Sequence, residues 1–485
     1  MQKSGLNILF VISEAAPFAV TGGLGDFGGT LPLEIASLGC DIRIVMPKYR
    51  SIKNEFINSM EYVTDYPVNL DWRKQTVIVR KLDLNYKNKT EVPSYFIDNA
   101  YYFDREQMYS NPDDAERFAF FCRAVLEMLP KIDFKPDIIH CNDWECGPIC
   151  ILLREQYKSM EFYKDIKTVF TIHNLQWQGN FPRDTLSILG LGEEFYNPDS
   201  LEFYGSVNYM KAGILYSDLL TTVSPTYAKE IRTPEYGHGL DGVIRKRQKD
   251  LRGIINGISY RVYNPETDMD IYKRYTHHFI GGKKENKREF QKEIGLEIRD
   301  DIPLVGMVSP LSDKKGFDLI EESIEEIIKM DLQLVILGTG DPIYEDLLRS
   351  IEKKFPYKMR AIITYNLEVA KKIFASTDIF LMPSKFEACG LNQMIALRYG
   401  AIPLVRETGG LIDTVEPFNH QYLKGNGFVF KEHCKRSMIF ALNEAIALYE
   451  KDKETWNKLV ERAMNQDFSW TASAKKYVEL YNELA

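Results

Sequence analysis

Cysteine and histidine are scarce in this chain, with seven of each among 485 residues. Seven cysteines over that length make no disulfide framework. Cys141, Cys146 and Cys150 cluster, but no His or Cys pair follows at metal-ligand spacing, so they read as thiols in a reducing compartment. No run approaches the roughly 18 apolar residues of a membrane-spanning helix. Met1 to Phe10 lacks the basic, long apolar and small-residue segments of a secretory signal. Low-complexity tracts are absent as well. Neither sign of charge dominates: 61 Lys plus Arg against 69 Asp plus Glu leave a net charge of −8. That balance argues against a general nucleic-acid surface but leaves room for a local anion site. The expectation is a cytoplasmic chain with no membrane and no nucleic-acid partner.

What the chain has is buried strands alternating with helices. Hydrophobic residues make up 45% and charged residues 27%, the balance of a globular protein of two or three domains. Asn7 to Ile12 is a continuous apolar run, as in a parallel strand buried on both faces. A glycine-rich loop, a helix from Gly29 to Leu38 and a strand from Asp41 to Met46 complete a βαβ unit. Further strands are expected at 137–141, 168–172 and 219–223. The pattern restarts after residue 300, with strands at 303–309, 333–337, 360–364, 379–382 and 402–405 and a helix at 317–330. The polar segment from Asn264 to Arg288 suits a linker followed by a helix. The expectation is α/β: two doubly wound Rossmann-like domains facing a central cleft, at 1–263 and 264–470, with a C-terminal helix at 471–485 docking across the junction.

One segment occurs twice, as Thr21-Gly-Gly-Leu-Gly-Asp26 and as Thr408-Gly-Gly-Leu-Ile-Asp413. Such loops either pack tightly or open backbone N–H groups to an anion, and spacing alone leaves both readings standing. Lys315, before a helix, is electrostatically misplaced unless an anion joins it. Glu387 follows a buried strand, where a carboxylate can hold sugar hydroxyls or simply face a helix dipole. His173 also stands just past a strand, as a ligand contact or as a hydrogen-bonded strand end. Gly338-Thr-Gly340 lacks the third glycine of a dinucleotide fingerprint. Asp268-Met-Asp270 looks like a metal pair but has no strand behind it, and no metal is expected. The Tyr-rich stretch from Tyr95 to Tyr109 offers rings that stack on sugars or fill a core.

Together these segments resemble bacterial glycogen synthase and plant starch synthase, retaining glycosyltransferases of the GT-B fold. The resemblance also rests on Ser13-Glu-Ala-Ala-Pro17, Thr171-Ile-His-Asn-Leu175, Thr222-Val-Ser-Pro225, Thr233-Pro-Glu-Tyr-Gly237 and Glu387-Ala-Cys-Gly-Leu-Asn-Gln393, in order over nearly the whole chain. It implies transfer of glucose from ADP-glucose or UDP-glucose to the non-reducing end of an α-1,4-glucan such as glycogen, with no cofactor. It assigns catalysis to Glu387, His173 and Lys315. It assigns donor binding to Thr21, Gly22, Gly23, Asp26, Asn256, Lys315, Gly390, Leu391, Thr408, Gly409 and Gly410. Acceptor contacts fall to Asp143, Trp144 and Tyr109.

The chain departs from the family where charge matters. Val20 replaces the lysine before the first TGGL loop, and Pro310 replaces an arginine after the first strand of the second half. Asn142-Asp-Trp-Glu145 replaces His-Asp-Trp-His. Each lost charge-assisted contact costs roughly 1.5–3 kcal/mol. The departures motivate an alternative reading, a catalytically weakened paralogue that binds glucan or assists another synthase.

Overall fold

The computed structural model describes residues 5–86 and 90–485. Residues 1–4, part of the segment read for a signal sequence, lie outside it. The chain forms two compact units, Met1–Asn256 with Trp470–Ala485, and Gly257–Ser469.

The first unit is built on a nine-stranded sheet. In chain order its strands, with those of a small separate sheet, are β1 (Asn7–Val11), β2 (Asp41–Pro47), β3 (Glu61–Leu70), β4 (Arg73–Tyr86), β5 (Thr90–Asp98), β6 (Ile138–Asn142), β7 (Lys167–Ile172), β8 (Asn180–Phe181), β9 (Glu202–Phe203), β10 (Ser206–Asn208), β11 (Leu219–Thr222) and β12 (Leu251–Gly253). The large sheet runs β12-β11-β7-β6-β1-β2-β5-β4-β3, and β8, β10 and β9 form the small one. All pairs from β12 to β5 are parallel, while β4 and β3 add an antiparallel hairpin. Ile8, Leu9, Phe10, Val11, Ile138 and Ile139 are fully buried, as a central parallel strand requires. The β3–β4 hairpin is an element the apolar-run reading missed. Tyr66, Val68 and Leu70 are buried while Asp65, Pro67 and Asn69 face solvent, an alternation that marks a half-covered strand.

The first helix spans Gly23–Ser37 and so begins within the glycine loop rather than at Gly29. Glycine disfavours helix, but tertiary contact overrides that here. A side chain on Gly28 would lie 2.3 Å from the Glu14 carbonyl oxygen, and one on Gly29 would lie 2.3 Å from that of Ala16. The helix therefore packs its backbone on the loop after β1. The C-terminal helix, Trp470–Leu484, joins this same unit. Its Trp470 and Tyr477 rings meet the Phe27 ring edge-on at 5.5 and 6.1 Å. The Tyr481 hydroxyl lies 2.6 Å from His140 Nδ1. The division thus falls at Asn256/Gly257 rather than at 263/264, and the last helix is integral to the N-terminal unit.

The second unit holds β13 (Leu304–Val308), β14 (Gln333–Leu337), β15 (Met359–Ile362), β16 (Ile379–Met382), β17 (Ile402–Arg406) and β18 (Phe428–Phe430). They form one parallel sheet in the order β15-β14-β13-β16-β17-β18, the doubly wound arrangement. The segment expected to be a linker is instead part of this unit. Asp268 is buried and bonds Tyr399 and Lys371, and Asp270 pairs with Lys371 at 2.8 Å. Lys371 thus sits between the two carboxylates of the DxD segment. Among the described residues no helix is long and apolar enough to cross a membrane.

Lys283 anchors the second unit from inside. Its buried ammonium donates to the carbonyls of Phe374 (3.3 Å), Ala375 (3.2 Å) and Tyr399 (3.0 Å), closing two helix ends. Burial pushes its pKa down to about 7, against about 10.4 in an unfolded chain. Between those values the unfolded state binds more protons. The stability this group contributes is therefore present above pH 10 and lost as pH falls to 7. Denaturant unfolding from pH 7 to 10 should show stability rising in the wild type and a flatter profile in Lys283→Met. The substitution should also cost about 1–3 kcal/mol per carbonyl left unpaired. An unchanged slope refutes the assignment.

Candidate functional site

In both sheets the strand order reverses beside the first strand of the unit, and the expected residues gather on the loops there. Such switch points open a crevice at the carboxyl ends of the strands. In the first unit Ser13 and Glu14 follow β1, Asn142 ends β6 and Asp143 follows it, and His173 follows β7. In the second, Lys315 follows β13 and Glu387 follows β16.

Glu14 organises the first locus. Its buried carboxylate accepts the Thr21 N–H at 2.5 Å, the Thr21 hydroxyl at 2.6 Å and the Tyr109 hydroxyl at 2.8 Å. Tyr109 also shares a 2.9 Å hydrogen bond with Ser13. The glycine loop is thereby tied to the end of β1 and to the 106–109 segment. Sequence reasoning passed over Glu14, although it lies in a quoted motif. Gly22 and Gly23 differ from Gly28 and Gly29, because a side chain there meets nothing within 4 Å. Packing does not demand them, and their amides begin a 15-residue helix without a side-chain cap. That geometry favours the anion reading of the first TGGL loop over the packing reading. Asp26, in the first turn, remains exposed, yet surrounding protein and then the Glu14 charge raise its pKa. Val20 is 49% exposed beside Gly25.

His173 is held in one protonation state. The Asn142 side-chain amide donates to the Val11 carbonyl at 3.0 Å, which leaves its oxygen to accept from His173 Nε2 at 3.0 Å. Nδ1 is then the unprotonated nitrogen. Burial pushes the pKa down to about 3, so the ring is neutral at working pH. Phe27 contacts it edge-on at 4.4 Å, and Asp143 accepts its backbone N–H at 2.8 Å. Asp143 adopts a left-handed backbone (φ 57) to do this. Burial foremost, with the Glu14 charge adding, raises the Asp143 pKa to about 7. Glu145 is buried, and burial and then the Asp143 charge raise its pKa well above the usual carboxylate range. Its Oε2 lacks a hydrogen-bond partner among the described residues. Trp144 is buried between Phe118 (5.0 Å) and Phe181 (5.6 Å), so its ring is committed to packing rather than open to an acceptor. Asn256 is buried with Oδ1 unpaired among the described residues, an acceptor awaiting a donor.

The second locus centres on an ion pair. Lys315 Nζ lies 2.6 Å from Glu387 Oε2, and the Ser384 hydroxyl lies 3.3 Å from the same oxygen. Gly316 (φ 81) brings Lys315 close, since a side chain there would lie 2.2 Å from the Pro383 carbonyl. Gly409 and Gly410 likewise face the 387–389 segment, with built Cβ positions 1.9 Å from the Glu387 oxygen and 2.1 Å from that of Cys389. Thr408 before them is buried. Here the second TGGL loop follows the packing reading. Gly390 takes φ 73 and, with half-buried Leu391, leads into the helix Asn392–Arg398. Arg406 was missed by sequence reasoning. It donates to the carbonyls of Ser384 (2.9 Å) and Lys385 and so fixes the loop carrying Glu387. Its only sequence signal is its place at the end of β17. Pro310 is exposed on the loop after β13.

Two family models match the chain: starch synthase catalytic domain over residues 7–246 and glycosyl transferases group 1 over residues 286–466. The chain is 48% identical to a glycogen synthase of Desulforudis audaxviator, over 99% of this chain and 96% of that protein. It is 47% identical to those of Clostridium novyi (99% and 99%) and Geobacillus stearothermophilus (99% and 98%). Among solved structures, the catalytic domain of starch synthase IV from Arabidopsis thaliana, bound to ADP and acarbose, matches with a TM-score of 0.90 and 34% identity over 99% of both chains. Sucrose-phosphate synthase from Thermosynechococcus elongatus shares the fold, with a TM-score of 0.60 and 16% identity over 99% of both chains.

The two kinds of glycine separate experimentally. Gly29→Ala should lower the thermal midpoint of the N-terminal unit by several degrees, as about 1–3 kcal/mol of overpacking implies. Gly22→Ala should leave that midpoint unchanged while weakening substrate binding. Equal midpoints for both variants refute the distinction. For His173, selective 15N labelling of the seven histidines should show a neutral Nε2–H tautomer at pH 6 that is lost in Asn142→Leu.

Proposed function

The chain belongs to the starch and glycogen synthase family of glycosyltransferases, and we propose that it moves glucose from ADP-glucose to the non-reducing end of an α-1,4-glucan with retention. The observation that carries the reading is the Lys315–Glu387 pair at the switch point of the second sheet. Each partner neutralises the other, so a nucleoside diphosphate glucose can take both. Phosphate oxygens draw Lys315, and sugar hydroxyls draw Glu387.

The chemistry then follows from charge. The bond between the anomeric carbon and the diphosphate oxygen breaks, leaving positive charge on the carbon and negative charge on the oxygen. Lys315 stabilises that oxygen more in the transition state than before it. Glu387 holds glucose hydroxyls in the reactive pose. The acceptor O4 forms the new bond on the same face, and its proton passes to the leaving diphosphate. In the N-terminal unit, neutral His173 offers Nδ1 as an acceptor to a sugar hydroxyl. The buried Asn256 oxygen accepts another. UDP-glucose is the competing donor, and the cytoplasm is the compartment consistent with free thiols.

The weakened-paralogue reading draws on exposed Val20 and Pro310, where cations usually stand. Transfer of labelled glucose from ADP- and UDP-glucose to glycogen separates the two. Lys315→Gln should cut kcat by roughly 10²-fold or more, the scale of one lost oxyanion contact. Val20→Lys with Pro310→Arg should raise kcat/KM for the donor by about tenfold per contact regained. Absence of transfer from any nucleoside diphosphate glucose, by folded protein, overturns the synthase reading.

A further inference from the structure

Two aromatic rings on the N-terminal unit have no role in the machinery above. Trp72 is 80% exposed and Tyr101 is 51% exposed. Trp72 occupies a two-residue turn between β3 and β4, with Asp71 in the left-handed region at φ 51. Such a turn favours glycine or a small polar residue and gains nothing from indole. The other tyrosines nearby are committed: Tyr95 and Tyr102 are buried, and Tyr109 bonds Glu14. Tyr101 keeps its ring at the surface.

Arg73 joins the two rings into one patch. Its guanidinium carbon lies 4.8 Å from the Trp72 ring centre and 5.3 Å from that of Tyr101, and it donates to the Tyr101 hydroxyl at 2.9 Å. Arg105 lies 5.7 Å from the Tyr101 ring. Both cations are already paired, Arg73 with Glu116 at 2.7 Å and Arg105 with Asp113 at 2.8 Å. The patch therefore offers held aromatic faces and polar edges with its charge spent. That chemistry suits a neutral polyhydroxylated ligand, whose pyranose faces stack on aromatic rings, and not an anion.

Topology places the patch. β4 runs antiparallel to β5, so its first residues lie at the carboxyl edge of the sheet. Along that edge come His173 after β7, Asn142 at the end of β6, Glu14 after β1, Ser51 after β2, Tyr101 after β5 and Trp72 before β4. From β1 to β4 is three strand spacings, about 14 Å. A cavity of about 470 Å³ lies along the way, lined by Val20, Thr21, Ser51, Met108 and Tyr109 among others. β7 lies two strands beyond β1, so a sugar chain longer than three units is needed to span the edge from His173 to Trp72.

We propose that Trp72 and Tyr101 form a platform that binds the α-glucan acceptor at a distance from its reacting end, as the outer stop of a track along the carboxyl edge of the first sheet. This rests on the synthase reading. It adds that polymer and short acceptors are distinguished by these two rings. Arg73 is a positioning residue that sets the ring geometry.

The test compares wild type with Trp72→Ala, Tyr101→Ala and the double variant. In native gels containing glycogen, retardation of the protein should diminish in each single variant and vanish in the double. KM for glycogen should rise roughly three- to tenfold, the worth of stacking contacts, with kcat unchanged. Kinetics with maltotriose, too short to reach the platform, should not change. Trp72→Phe keeps a ring and should retain most of the retardation. Unchanged retardation and unchanged KM for glycogen in the double variant overturn the proposal, and so does an equal loss with maltotriose. Retardation needs no turnover, so a wild type that binds glycogen through these rings yet transfers no glucose refutes the synthase reading alone.

Discussion

The functional loops exist because backbone packs directly on backbone at the carboxyl ends of the strands. Gly28 and Gly29 sit on the carbonyls of Glu14 and Ala16, Gly316 on that of Pro383, and Gly409 and Gly410 on those of Glu387 and Cys389. Each contact is closer than any Cβ allows. The loops after β1, β13 and β16 are thus pressed against helices or neighbouring loops, and Glu14, Lys315 and Glu387 take their positions from that contact. A loop held by side chains alone pays rotamer entropy for the same precision. Here the constraint is steric and local, and it acts at the switch points where the sheets already open a crevice.

The two loci solve opposite electrostatic problems. In the first, four carboxyls lie near one another, and burial with mutual repulsion raises Asp26, Asp143 and Glu145. A raised pKa favours the protonated form, so these shifts act to lower the negative charge of the locus. His173 is neutral for the complementary reason, since burial disfavours its cation. The locus therefore presents hydrogen-bonding groups more than net charge. In the second, Lys315 and Glu387 form an ion pair.

Much of this was legible in the sequence, for identifiable reasons. Strands buried on both faces are continuous apolar runs, and β1, β14 and β16 show them plainly. The β3–β4 hairpin hid because its signal is alternation, which a search for runs overlooks. The 264–288 segment looked like a linker because its charges are polar in sequence. In space Lys283, Lys287 and Lys371 are buried and matched to carbonyls or carboxylates. Trp144 illustrates the limit for site residues. A tryptophan in a functional motif reads as a sugar contact until its neighbours Phe118 and Phe181 are seen to enclose it. Trp72 was unremarkable in sequence, because only exposure distinguishes a platform from a core ring. The twin TGGL loops looked equivalent, yet open space at Gly22 and none at Gly409 separate them.

The acidic balance of the chain sharpens the cost of its departures. Around the loop that carries Glu387, Lys385 is paired with Asp318, Arg406 is spent on three carbonyls, and Lys315 is shared with Glu387. With proline at position 310, no additional side-chain cation enters from the loop after β13. On the proposed reading, a diphosphate at this locus depends on Lys315 and on oriented backbone amides. Amides carry fixed partial charge and need no counter-ion, so they stabilise a leaving group without first surrendering a partner. Lys315 must surrender one, and the energy of parting it from Glu387 is recovered only when phosphate and sugar arrive together. A free phosphate takes the lysine but leaves Glu387 uncompensated. The intact sugar nucleotide satisfies both, and the ion pair thereby favours the whole donor over its fragments.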